Sequence, residues 1–222
     1  MSELLFNELP RPTFRWLRVN HTVSSLAGED TAVQSIAVEA NKDILSPLPV
    51  GTALLDGNYE GANKEAVHVL VEKAEGYAIN VPPKAKEVVG IHIDANARVA
   101  NRFQFIVGEG AELEVQFYVT GSGEALTNVS YLNEYDVKEA GKVVVKKVNL
   151  LPEHVQHIEH RYTKLEEKAD VEYINIEIGG SENILNYYHD LVGQESRMVH
   201  DIAYLGNKAV SYTHLEPTRL RC

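Results

Sequence analysis

Val107-Gly-Glu-Gly-Ala-Glu-Leu113 comes back three times in altered form, as Val137-Lys-Glu-Ala-Gly-Lys-Val143, Leu165-Glu-Glu-Lys-Ala-Asp-Val171 and Val192-Gly-Gln-Glu-Ser-Arg-Met198. Each copy has an apolar residue, three mostly polar or small ones, a small residue, a polar one and a closing apolar one. The closing positions recur after 30, 28 and 27 residues, within the period range of solenoid arrays. Strand-like alternation follows each copy: Leu113, Val115, Phe117 and Val119, then Val143 and Val145, then Val171 and Tyr173, then Met198, His200, Ile202 and Tyr204. Another β-rich run precedes each, such as Arg102–Val107 or Asn183–Tyr188. One repeat therefore reads as strand, tight turn, strand and looser return. A single unit of this kind cannot bury its apolar side, whereas stacked units can. The predicted class is mainly all-β, a β-solenoid core with a less regular N-terminal region. Val107, Leu113, Val137, Val143, Leu165, Val171, Val192 and Met198 are predicted to point inward.

Outward from the repeats, β character begins at Ala66, where Val67, Val69 and Val71 alternate. It continues through Ala78–Val81, breaks at Pro82-Pro83 and resumes over Val88–Ile93. Residues 1–65 form the irregular N-terminal region and 66–208 the solenoid. Within the former, residues 2–8 suit a short amphipathic helix, with Leu4, Leu5 and Leu9 on related faces, stopped by Pro10 and Pro12. Thr13-Phe-Arg-Trp-Leu-Arg-Val19 sets the single tryptophan between two arginines. It reads as a capping strand or docking arm against the body, or else as a partner contact. Val33, Ile36 and Val38 suit a strand, and Ser46-Pro-Leu-Pro-Val-Gly51 an irregular connection.

The 222-residue chain is long enough for one sizeable core, with a hydrophobic content of 44% and a net charge of −11. That charge argues against nucleic acid as a partner, because no basic excess offsets phosphate repulsion. Lys146-Lys147 is the one adjacent basic pair. The first residues show no basic flank or sustained apolar run, and no stretch approaches a membrane span. Cys222 is the single cysteine, so no intrachain disulfide can form. Together these features predict a cytoplasmic protein without a membrane role.

Catalytic constellations are sparse. Thr120-Gly-Ser-Gly-Glu124 lacks the lysine of a phosphate-binding loop and reads as a flexible turn. Three histidines and a carboxylate fall within seven residues at His154, His157, Glu159 and His160. On a strand His157 opposes the other two histidines, so the set cannot converge on one metal ion. The expectation is solvated strand-face histidines, and no metal site. Acid clusters at Glu109/Glu112/Glu114, Asp136/Glu139 and Glu166-Glu167 lie in or beside the turns, where polar residues serve solvation rather than catalysis. Ser122, Ser130, Ser181 and Ser196 lack a nucleophile-elbow setting, and Cys222 has no neighbouring base. No catalytic residue is assigned.

The repeats resemble those of the SufB/SufD family of iron–sulfur cluster assembly proteins, SufD more than SufB. The resemblance rests on Asn101–Val115, Thr127-Asn128, Leu165–Val171, Gly179-Gly180 before Asn186, and Asp190–Gly193, together with Leu9–Asn20 at the start. It implies a right-handed parallel β-helix. It also implies a non-catalytic scaffold role beside a SufB-like subunit and a SufC-like ATPase, with a cluster held only within the full complex. Ser181–Asn186 departs from the family where many relatives carry an arginine. After Gly206 the sequence also departs: Val210-Ser-Tyr-Thr-His-Leu215 looks like translated sequencing-adapter read-through. Residues 209–222 are therefore expected to be a non-native tail, with the ATPase-docking region missing. The other readings are a carbohydrate-active β-helix enzyme, which would need groove acids that converge, and a β-solenoid interaction protein without a metal role.

Overall fold

The computed structural model describes residues 3–6, 22–25, 36–55, 64–122, 124, 126–206 and 212–215. Its order is β1 (Glu3–Phe6), β2 (Thr22–Ser25), β3 (Ile36–Glu39), β4 (Leu45–Leu48), α1 (Lys64–Lys73), β5 (Gly76–Val81) and β6 (Lys86–Asp94). Then come β7 (Val99–Val107), β8 (Glu112–Thr120), β9 (Thr127–Val137), β10 (Lys142–Leu151), β11 (Val155–Leu165), β12 (Asp170–Gly179), β13 (Glu182–Leu191), β14 (Arg197–Leu205) and β15 (Tyr212–Leu215).

From β5 onward the strands alternate between two sheets. The odd-numbered strands and β4 form a seven-stranded sheet in the order β15-β13-β11-β9-β7-β5-β4, and the others a six-stranded sheet, β14-β12-β10-β8-β6-β3. Neighbouring strands from successive repeats are parallel and in register, as in Val143↔Val171 and Leu165↔Val137. The result is a β-solenoid of about five turns.

The repeated motif makes the tight corner. Small residues are required there because the corner folds inward: Ala111 and Ala169 are completely buried. Lys84, Gly110, Ala140, Lys168 and Glu195 all take positive φ at the equivalent place. The strain at the four non-glycine residues is offset because the corners hydrogen-bond one another. Lys84 N donates to Glu109 O, Gly110 N to Glu139 O, Ala140 N to Glu167 O and Lys168 N to Gln194 O. Ladder pairing thus continues around the bend.

Six of the eight predicted inward residues, Val107, Leu113, Val137, Val143, Leu165 and Val171, are buried at 3% exposure or less. Met198 is partly buried against the core. Val192 is a correction, at 38% exposure. Its expected place is taken by Leu191, which pairs with Leu165. The last corner holds one extra residue, and both Val192 N and Gly193 N donate to Leu165 O.

Four more expectations change. Residues 64–73 are helical rather than strand: Ala66, Val67, Leu70, Val71 and Ala74 are buried at helical spacing while Val69 is exposed. α1 lies on the outer face of the seven-stranded sheet, where Val67, Leu70 and Val71 meet Leu132 and Tyr162. Glu3–Phe6 is a strand paired with β2, not a helix. The Pro-rich stretch contributes β4, an edge strand, where Pro47 has no ladder donor to lose. Finally, β15 joins the ladder beside β13, although no β-pairing was expected from the tail.

Candidate functional site

The interior of the solenoid changes character along its axis. Around β6–β9 it is apolar and aromatic. Phe105 stacks on Tyr135 at 4.5 Å between ring centres, and Phe103 meets Phe117 edge-on at 5.6 Å. From β10 onward the same inward columns carry charge. The alternation that turns Val143 and Val145 inward also turns in Lys147 and Asn149. On β11 it turns in His157, Glu159 and Arg161, and on β12 Tyr173, Asn175 and Glu177.

All these groups are essentially inaccessible to solvent. The Lys147 ammonium bridges the carboxylates of Glu159 and Glu177. Arg161 donates to Glu159 Oε1 through Nη2 at 2.6 Å and Nε at 3.1 Å. Its guanidinium lies 4.2 Å from the ring centres of both Tyr173 and Tyr187. Asn133 and the Tyr187 hydroxyl donate to Glu159 at 2.9 Å each, and Asn149 to Glu177 at 2.9 Å. Two cations and two carboxylates balance, as burial at this depth demands.

The electrostatics follow from that packing. Burial pushes the Glu159 carboxyl upward, but Arg161 and Lys147 outweigh it and hold the group well below the usual carboxylate range. Burial and then Lys147 push His157 down to about 4. Burial, Arg161 and His200 push His189 down to about 3, and burial and Arg161 push His200 down to about 4. These imidazoles are neutral at neutral pH. Neither ring nitrogen of His189 or of His200 has a hydrogen-bond partner, nor has Arg161 Nη1.

The histidine cluster read from sequence is thus divided. His157 faces the interior, where Nε2 meets the Tyr131 hydroxyl at 3.0 Å. His160 lies on the other face of β11 beside Asn186, with burial pushing it down to about 4. His154 precedes the strand. His157 and His160 are both fully buried rather than solvated, because the strand is covered inside by the opposite sheet and outside by other chain segments. Among the described residues no three or more His, Cys, Asp or Glu side chains are placed to hold a metal ion. Iron–sulfur clusters are selected mainly by thiolates. The described residues contain no thiol, and Cys222 lies outside them, so they present no cradle that fits a cluster.

The acid clusters lie on the outside and are largely paired. Glu112 meets Lys86 at 2.9 Å, Glu114 meets Lys146 at 2.8 Å, and Lys138 bridges Asp136 and Glu166 at 2.9 and 3.0 Å. Glu167 pairs with Lys168 at 3.0 Å, while Glu109 and Glu139 are exposed in the corners. Lysine hydrogen bonds draw Glu112 and Glu114 down, opposite to what a general acid needs. Ser122 bonds Asn96 Oδ1 and Ser196 the Gly193 carbonyl; Ser130 is half-buried and Ser181 exposed. Sequence reasoning missed Lys147, Arg161 and Glu177, although the two-residue alternation already turned them inward.

The family model described as "SUF system FeS cluster assembly, SufBD core domain" matches residues 91–215, more than half of the chain and most of its coils. No curated protein and no solved structure gives a significant match. With its parallel coils and the order of its repeats, the chain belongs to the SufBD core-domain family of the SUF iron–sulfur cluster assembly system.

Proposed function

We propose that the protein is a non-catalytic, SufD-like scaffold subunit of a cytoplasmic SUF assembly complex. It would work with a SufB-like subunit and a SufC-like ATPase. The observation that carries this reading is the family match over coils whose polar groups are closed inside and charge-balanced. A group locked between two opposite charges supports a shape; it does not turn over substrate. The iron–sulfur cluster is cargo of the complex, and no tightly held cluster is expected on this chain by itself. No helix among the described residues is long and apolar enough to cross a membrane.

The carbohydrate-enzyme reading is disfavoured by Glu112 and Glu114, which face lysines across neighbouring strands rather than each other across a substrate groove. A partner subunit has an obvious place to attach. Among the described residues β14 ends the six-stranded sheet with no further strand paired to it, and Leu205 on it is 66% exposed.

Co-expression with the SufB-like and SufC-like proteins of the same genome tests the proposal. A stable assembly containing this chain, and loss of cluster delivery when it is omitted, are expected. A chain that stays apart from both proteins, with cluster delivery intact in its absence, refutes the proposal. So does anaerobic reconstitution of a stoichiometric cluster on the isolated Cys222→Ser variant.

A further inference from the structure

The two sheets of the solenoid have unequal outer faces. On the seven-stranded sheet α1 lies across β7, β9 and β11: Arg102 Nη1 donates to Val71 O at 3.1 Å, and the apolar side of the helix packs on Leu132 and Tyr162. Among the described residues no element covers the six-stranded sheet in this way. Its outward side chains sort by position along the strands. Where the strands begin they are charged and pair across the ladder, Lys86 with Glu112 and Arg197 with Asp170. Where the strands end they are apolar, in two neighbouring rows, Tyr118–Val148–Ile176 and Leu150–Ile178–Leu205. All of these but Val148 are at least 36% exposed. Gathered in one stripe, they mark a contact surface, which scattered exposed residues would not.

At the β3 end the stripe opens into a groove of about 380 Å³, lined by Glu39 on β3, by Gly90 and His92, and by Tyr118, Lys146 and Val148. The His92 and Tyr118 rings lie 4.8 Å apart and give it an aromatic side. Lys146 is held by Glu114 at 2.8 Å, so the Glu39 carboxylate is the groove's unpaired charge. The same holds along the border of the stripe. Asp94 ends the Leu150 row on β6, and Asp201 lies beside the Ile176 row on β14. Neither forms an ion pair, although the acids at the strand starts do. The face therefore offers an apolar stripe with three uncompensated carboxylates around it.

We infer that a basic amphipathic helix of the partner subunit lies along this stripe, with its aliphatic side on the two rows and its cations on Glu39, Asp94 and Asp201. An arginine of that helix suits the groove, where its guanidinium can pair with Glu39 and stack on the Tyr118 ring. The inference rests on the partner-subunit reading above and names what the subunit places on this face. Charge complementarity selects the chemistry, because each uncompensated carboxylate gains from a cation brought against it. The dimensions agree. From β6 to β14 is four strand spacings, about 19 Å, the length of a helix of about 13 residues. α1 shows that a helix running across the strands suits this solenoid. The stripe also reaches Leu205 on β14, so a subunit bonded to that strand has the face within reach. A second copy of the chain fits poorly. It would bring the same three acids against these, and the lysine nearest the stripe, Lys146, is already paired.

Thiol reactivity reads the cover directly. In a Cys222→Ser background the chain has no other thiol. Ile176→Cys then reports on the stripe, and Val69→Cys, exposed on α1, serves as control. In the isolated full-length chain both thiols are expected to react readily with a maleimide. In the co-expressed assembly the thiol of Ile176→Cys should react about tenfold more slowly, because access limits the rate, while that of Val69→Cys is unchanged. Glu39→Lys together with Asp201→Lys should weaken the assembly about tenfold. Circular dichroism confirms that each variant is folded, and Leu150→Cys replaces Ile176→Cys if that variant is not. An assembly that leaves the stripe thiol fully reactive overturns the inference and leaves the scaffold reading standing; a chain that joins no assembly fails both. Shielding already present in the isolated chain also overturns it, with the molecular mass distinguishing a second copy from cover by the chain's own residues. So does an assembly indifferent to the two lysine substitutions.

Discussion

Replacing Lys147 by Met keeps most of the side-chain volume and removes one charge from the closed interior. In the native arrangement the Lys147 ammonium faces Glu159 on one side and Glu177 on the other. Glu159 would keep Arg161, Asn133 and Tyr187, whereas Glu177 would keep hydrogen bonding from Asn149 but lose its lysine. Breaking a buried pair by removing one partner costs about 3–5 kcal/mol, a large part of a typical domain stability of about 5–15 kcal/mol. Urea unfolding followed by circular dichroism measures the loss. Its pH dependence is diagnostic. Without Lys147 the folded variant has an uncompensated carboxylate that favours taking up a proton, so the deficit relative to the unmodified protein should shrink as pH falls from about 8 to about 5. Adding Glu177→Gln removes the stranded charge and should recover at least half of the deficit. A Lys147→Met protein within about 1 kcal/mol of the original, or a deficit indifferent to both pH and Glu177→Gln, would refute the charge-balance account.

Other outcomes follow from the same packing. The fully buried His157, His160 and His189 are pushed down to about 4, about 4 and about 3. Because the unfolded chain binds these protons near pH 6.5 and the folded one does not, stability should fall as pH drops from about 6.5 towards 4. His189→Leu should flatten that acid limb in urea midpoints measured across the range; an unchanged slope would count against a buried neutral imidazole. Val143→Ala should cost roughly 1–3 kcal/mol by cavity formation, while Val192→Ala in the exposed corner should stay within about 0.5 kcal/mol. Equal losses would mean that the last corner is misregistered. Gly179 has φ +81°, and a Cβ there would collide with the Leu151 carbonyl oxygen. Gly179→Ala should therefore lower the melting temperature clearly, whereas substitution at Gly51, also at positive φ but with open space around it, should cost only the backbone strain.

The coils were legible because their signal repeats: a corner residue buried at Ala111 must also be small at Gly141 and Ala169. Isolated signals served less well. Val67, Val69 and Val71 alternate like a strand, yet Ala66, Leu70 and Ala74 complete a helical face, and packing on Leu132 and Tyr162 favours the helix. Val192 and Leu191 both suit an inward position, and only pairing to Leu165 distinguishes them. The polar interior was missed for a different reason. Lys147 and Arg161 are inward by parity, but a charged residue normally belongs outside. Their burial becomes intelligible only once Glu159, 12 residues after Lys147 and two before Arg161, and Glu177, a full coil beyond Lys147, meet them inside the stack.

The passage from an aromatic to an ionic interior gives the stack a direction in which it comes apart. Near β7 and β8 a coil separates only by exposing phenylalanines to water, whereas near β13 and β14 the groups released are ones that water solvates well. Opening should thus begin at β14 and travel towards β7, each lost coil uncovering the next ionic layer before the aromatic one. Backbone amides of β13 and β14 should exchange with deuterium first and those of β7 and β8 last. A subunit that bonds to β14 would hold shut the end at which unravelling begins, so assembly and folding would be stabilised by one and the same contact.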